Sequence, residues 1–156
     1  MAVDIGQEAT DRSQNFIQGY TLVNTELVAS IAGKVTSIDI WAYTNITGLK
    51  VGVFYTTNGD TLKCRSAQSI AGTITAGSKV NKVTDLTVEI GDYLGCYFSG
   101  GAIERTRYPP PYGWQDAGDN CVVDSEEAYA KANQQFSIGG YISVAAAGRS
   151  FGFIIG

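Results

Sequence analysis

The sequence predicts an all-β protein, an antiparallel β-sandwich of jelly-roll type with roughly eight to ten strands and at most one short helix. Three observations carry this. Apolar residues alternate with polar ones in several stretches, as with Leu86, Val88 and Ile90 against Thr87 and Glu89. Glycine is abundant (19) while methionine occurs once, which favours a turn-rich β protein over a helical one. The stretch from Val83 to Phe98 reads as two strands around a Gly91-Asp92 turn. Its second strand sets Leu94, Cys96 and Phe98 on one face and Tyr93, Gly95 and Tyr97 on the other. Leu86, Val88, Ile90, Leu94 and Phe98 are expected in the core between two sheets.

Length and charge narrow the class. The 156 residues fit one domain, large enough to bury about two-thirds of its unfolded surface. Hydrophobic residues make up 44% and mean hydropathy is near zero, which argues against disorder. A net charge of −4 with no basic run lacks the footprint of a nucleic-acid or acidic-membrane binder. No apolar run approaches the roughly 20 residues of a membrane-spanning helix. The opening Met-Ala-Val-Asp-Ile-Gly-Gln-Glu lacks the features of a secretory signal, so synthesis in the cytosol is expected. With no histidine in the chain, His-ligated zinc and His-based acid–base chemistry are excluded.

Residues 1–19 are polar, anchored only by Val3, Ile5, Phe16 and Ile17. They read as a short strand plus a surface loop, with an arm lying on a neighbouring subunit as the alternative. Tyr20 to Ile31 reads as a strand. Lys34 to Tyr55 reads as a hairpin about Thr44–Gly48, with Ile38, Ile40, Ala42, Leu49, Val51 and Val53 forming core faces. Its other faces carry Trp41, Tyr43 and Phe54, large apolar groups where a solvated sheet should be polar. Gly52 leaves room for the Trp41 ring to lie flat on the sheet.

Asn58-Gly59-Asp60 makes the next turn, followed by a strand with Leu62 and Cys64 inward. Residues 99–120 read as a long loop stiffened by Pro109-Pro110-Pro111. Ser125 to Ala132 has the only helical character, one or two turns capped by Ser125. Phe136 to Ala145 and Ser150 to Ile155 read as closing strands. The cysteines Cys64, Cys96 and Cys121 have no Cys-x-x-Cys spacing. Cys64 and Cys96 read as small buried hydrophobes, able to bridge only if their strands face each other.

Three constellations are candidates for chemistry. Glu104-Arg105 with Arg107 reads as a structural ion pair, since glycoside hydrolysis needs a second carboxylate and none is marked. Asp116, Asp119, Asn120, Asp124 and Glu126 are oxygen-rich, but their spacing matches no calcium loop. Tyr108, Tyr112 and Trp114 could stack on a sugar ring, fold back over the outer aromatic face, or help meet a subunit. No catalytic residue, metal or cofactor is expected. The outer set Trp41, Tyr43, Phe54, Tyr93 and Tyr97 is expected to lie on neighbouring strands and to need a cover, either the chain itself or another subunit.

The segments Val3-Asp4-Ile5-Gly6, Ala9-Thr10-Asp11-Arg12, Ile38-Asp39-Ile40-Trp41-Ala42 and Lys50-Val51-Gly52-Val53-Phe54-Tyr55 carry a resemblance. Gly91-Asp92-Tyr93-Leu94-Gly95 and Ile103-Glu104-Arg105 complete it. Together they resemble small Gly/Thr-rich β modules of tailed-bacteriophage virions, similar to decoration, fibre or adhesin domains. Ser150-Phe151-Gly152-Phe153 also looks like the closing strand of tumour-necrosis-factor-like jelly rolls, though too little of that pattern is present to adopt it. The resemblance implies a non-catalytic virion module, a homo-oligomer or capsid- or tail-bound, with other virion subunits as partners. The alternative is a carbohydrate-binding module using Tyr108, Tyr112 and Trp114.

Overall fold

The computed structural model describes residues 2–107 and 110–144. The chain opens with β1 (Ile5–Gly6), β2 (Gln14–Ile17) and β3 (Tyr20–Asn24). Then come β4 (Gly33–Thr47), β5 (Lys50–Asn58), β6 (Thr61–Ser69), β7 (Lys79–Val88), β8 (Tyr93–Tyr97) and β9 (Gly100–Arg107). It continues with β10 (Gly113–Ala117), β11 (Glu126–Ala128), β12 (Ala130–Ala132), β13 (Gln134–Phe136) and β14 (Ile138–Ser143). Among the described residues there is no helix.

The framework is a jelly roll. Strands β2, β9, β4 and β7 are neighbours in one sheet, and β3, β8, β5 and β6 are neighbours in the other, all antiparallel. The chain changes sheet at every step of this framework except β5 to β6, where Asn58 pairs with Thr61 across a tight turn. The predicted sandwich is therefore present, but two predicted hairpins are not. β4 and β5 lie in opposite sheets, and so do β7 and β8. Alternation reports which face of a strand is apolar, and it is silent about which strand lies beside it.

The step from β7 to β8 is a corner between sheets rather than a turn within one. Gly91 there has φ of +90°, and the buried Asp92 carboxylate accepts the Glu89 N–H at 2.9 Å. Ile90, expected in the core, points outward at this corner and is 72% exposed. The rest of the expected core is in place: Ile38, Ile40, Leu49, Val51, Val53, Leu86, Val88, Leu94 and Phe98 are all buried between the sheets.

Two further expectations are corrected. Residues 125–132 form no helix; they supply β11 and β12, because two unpaired sheet edges offer hydrogen bonds that outweigh a weak local helix preference. The span 99–120 is no long loop, since β9 and β10 occupy most of it. The short strand read within residues 1–19 is β1, which pairs with β14, and a second strand, β2, pairs with β9 of the same sheet. The closing strand expected at Ser150–Ile155, and Tyr108, lie outside the described residues.

A fully buried polar side chain clamps the two sheets. Asn24, fully buried on β3, donates to the carbonyls of Phe136 (2.9 Å) and Ile138 (3.1 Å) in the opposite sheet. Its own carbonyl accepts the Phe136 N–H at 3.0 Å. Removing it strands buried backbone groups, each at about 1–3 kcal/mol. Asn24→Ala should therefore destabilise by more than about 3 kcal/mol. Val53→Ala, which only leaves a cavity, should cost roughly 1–3 kcal/mol. Urea unfolding of the two variants checks the order.

Candidate functional site

The outer aromatic residues do not form one surface, because the strands that carry them belong to different sheets. Phe54, Tyr93 and Tyr97 lie on β5 and β8, whereas Trp41 and Tyr43 lie on β4. The two sheets treat their outer faces differently.

The second sheet closes on itself. Its neighbours run β6, β5, β8, β3, β10; β11 pairs with β6 at one end and β12 with β10 at the other. Only Tyr129 separates β11 from β12, so residues 126–132 bridge both edges and bend the sheet nearly into a barrel. Its interior holds Val23, Phe54, Leu62, Cys64, Trp114, Cys121 and Tyr129, with Tyr93 and Tyr97 packed against them. Phe54 is 1% exposed and meets Tyr129 edge-on at 6.2 Å. Its ring lies over the paired glycines Gly52 and Gly95, where a Cβ would approach within 2.8 and 2.9 Å. A ring does cover Gly52, but it is Phe54 and not Trp41. Phe54 is thus no partner-facing residue, and Tyr93 and Tyr97 are half-buried in the same cluster.

Trp114 is buried as well. It sits on β10, tilted against Tyr93 at 6.1 Å and capped by the Lys131 ammonium at 5.0 Å. It therefore offers no open platform to a sugar ring. Tyr112 is half-buried, its carbonyl taking both the N–H and hydroxyl of Thr25 at 2.8 Å.

The outer face of the first sheet stays open over β4 and β7. Tyr43 is 47% and Val83 79% exposed, and Trp41 is half-buried. Alternation along β4 places Ser37 and Asp39 on this face with them. Asp39 pairs across to Asn81 on β7 and Gly139 on β14, and Ser37 pairs with Tyr141. Here the structure forms an open groove of ≈ 490 Å³ lined by Asp4, Ser37, Asp39, Asn81, Tyr141 and Ile142. Asp39 lies at its floor, 5% exposed. One carboxylate oxygen accepts the Asn81 amide at 2.9 Å, the other the Tyr141 hydroxyl. Asp4 accepts the Ile142 N–H at 2.8 Å and holds the rim. The bond to Asp39, with burial behind it, pushes the Tyr141 phenol up to about 12.

The other candidates are dispersed. Glu104 forms no ion pair with Arg105 or Arg107 among the described residues; its carboxylate accepts the Arg12 N–H at 2.7 Å, and burial pushes its pKa up. Arg105 instead bonds Gln134 at 3.0 Å and lies over the Phe16 ring. Asp119 pairs with Lys50 at 2.7 Å, Asp116 accepts from Asn120 and Glu126 from Thr57. Among the described residues no three metal-ligating side chains gather. The three cysteines are free; Cys96 faces the main core and Cys64 the barrel interior, so the sheet itself separates them.

No family model and no curated protein matches the chain. The groove residues escaped sequence reasoning because β14 is distant in the chain from β4 and β7. A carboxylate set between two core isoleucines was the only local signal.

Two measurements check these environments. Burial pushes the Cys64 thiol up to about 11 and Cys96 to about 12, so all three thiols should resist a thiol reagent until the protein is unfolded. The Tyr141 phenol has a folded pKa above the ordinary 10.0. Its bond to Asp39 should stabilise fully below pH 10 and be lost as pH rises through about 12. Tyr141→Phe should remove a late step from the phenolate absorbance titration.

Proposed function

We propose that this chain is a non-catalytic structural and interaction module of a virus particle, meeting neighbouring subunits through the outer face of its first sheet. The observation that carries the reading is the unequal covering of the two sheets. The second encloses its aromatics, while the first leaves Tyr43 and Val83 exposed beside the half-buried Trp41. Exposed apolar residues grouped on one face are suited to contact with another protein. The jelly-roll framework and the resemblance to bacteriophage virion modules support the same reading. A sugar platform at Tyr108, Tyr112 and Trp114 loses support because Trp114 is enclosed.

Sedimentation analysis should show self-association, or binding to purified particles, that Trp41→Ser and Tyr43→Ser weaken while the β fold persists. Phe54→Ser should instead lower stability by roughly 3–5 kcal/mol through lost packing. A chain that stays monomeric at high concentration and is absent by mass spectrometry from purified particles overturns the reading.

A further inference from the structure

We propose that the groove over Asp39 is a saccharide-binding site, one that takes a neutral sugar through a pair of adjacent hydroxyls. Asp39 is a buried carboxylate with no cationic partner among the described residues. Asn81 and Tyr141 each donate to one of its oxygens. A carboxylate offers about four acceptor sites, so each oxygen keeps capacity for one more donor. Two neighbouring sugar hydroxyls match that arrangement, one to each oxygen.

The surrounding groups supply the complementary chemistry. Asn81 is exposed beside the floor and carries an amide carbonyl and a second N–H. Ser37 adds a hydroxyl that can donate or accept. The Tyr141 ring and Ile142 give the groove an apolar wall for the C–H face of a pyranose. The volume of ≈ 490 Å³ falls within the range of small-molecule sites. The fixed donors matter as well, because they hold the carboxylate in one orientation before a ligand arrives.

The same features weigh against a cation. The carboxylate already receives two hydrogen bonds, and Lys79 stands on the same outer face of β7, two residues from Asn81. On β14, Gly139 lies opposite Asp39, and a Cβ there would strike the Gln7 carbonyl. The N-terminal segment thus passes beside the floor and bounds the groove on that side.

This site goes beyond the assembly role and can fail independently of it, since Trp41 does not line the groove. The probes are the methyl glycosides of glucose, galactose, mannose and N-acetylglucosamine, read by saturation-transfer NMR and calorimetry on the full chain. At least one should bind, and Asp39→Asn should weaken it about tenfold or more by replacing a charged acceptor. Asn81→Ala, at an exposed position, should weaken it several-fold with the fold intact, and it decides the matter if Asp39→Asn misfolds. Trp41→Ser should leave sugar binding unchanged. The proposal is overturned if no glycoside binds, if Asn81→Ala binds as the wild type does, or if ethylguanidinium binds the groove in place of the sugars.

Discussion

The backbone edges of β6 and β10 would both be open if the second sheet ended there, and one short segment, 126–132, satisfies them together. The Tyr129 N–H completes the bridge by donating to the Asp60 carbonyl at 3.0 Å. The segment before it is fastened too, with Cys64 N–H to Ser125 and Asp124 N–H to Cys64, both at 2.9 Å. Once that strap is in place, the outer face of β5 and β8 becomes an interior. Phe54, Trp114 and Tyr129 can then be buried without a partner, each aromatic removing a large apolar area from water.

A second polar device fixes the corner by which the chain leaves the first sheet for the second. Asp92 is 1% exposed and is held by Arg65 in two bonds, 2.6 Å from Nε and 3.1 Å from Nη2. The Arg65 guanidinium also lies 4.3 Å over the Tyr55 ring. The corner and the 25–32 loop hold each other, since Ala29 and Gly91 N–H groups bond across at 2.9 and 2.8 Å. A buried carboxylate with a bidentate partner is costly to disturb from either side, so it defines where the strand must turn. Asn24 does the same at the other seam, where β3 meets β13 and β14.

These devices leave the molecule asymmetric. One sheet is sealed by its own chain, and the other presents a polar groove beside exposed apolar residues on the same face. The groove is polar at its floor because β4 spends its inward positions on Ile38, Ile40 and Ala42, leaving Ser37 and Asp39 to the outside. The two roles proposed for this face would therefore draw on separate residues.

The sequence by itself determined the all-β class, the inward faces of β4, β5, β7 and β8, and the turn at Asn58-Gly59-Asp60. Those features are local, because alternation and turn chemistry act over a few residues. Only the tertiary structure decided that β4 and β5 belong to opposite sheets, since a strand's apolar face is the same whichever neighbour it has. It also decided that Ser125–Ala132 is extended, as two distant edges supply hydrogen bonds that no local propensity anticipates. The groove arose in the same way. Asp39, Asn81 and Tyr141 are more than 40 residues apart and meet only through the pairing of β4 with β7 and β14.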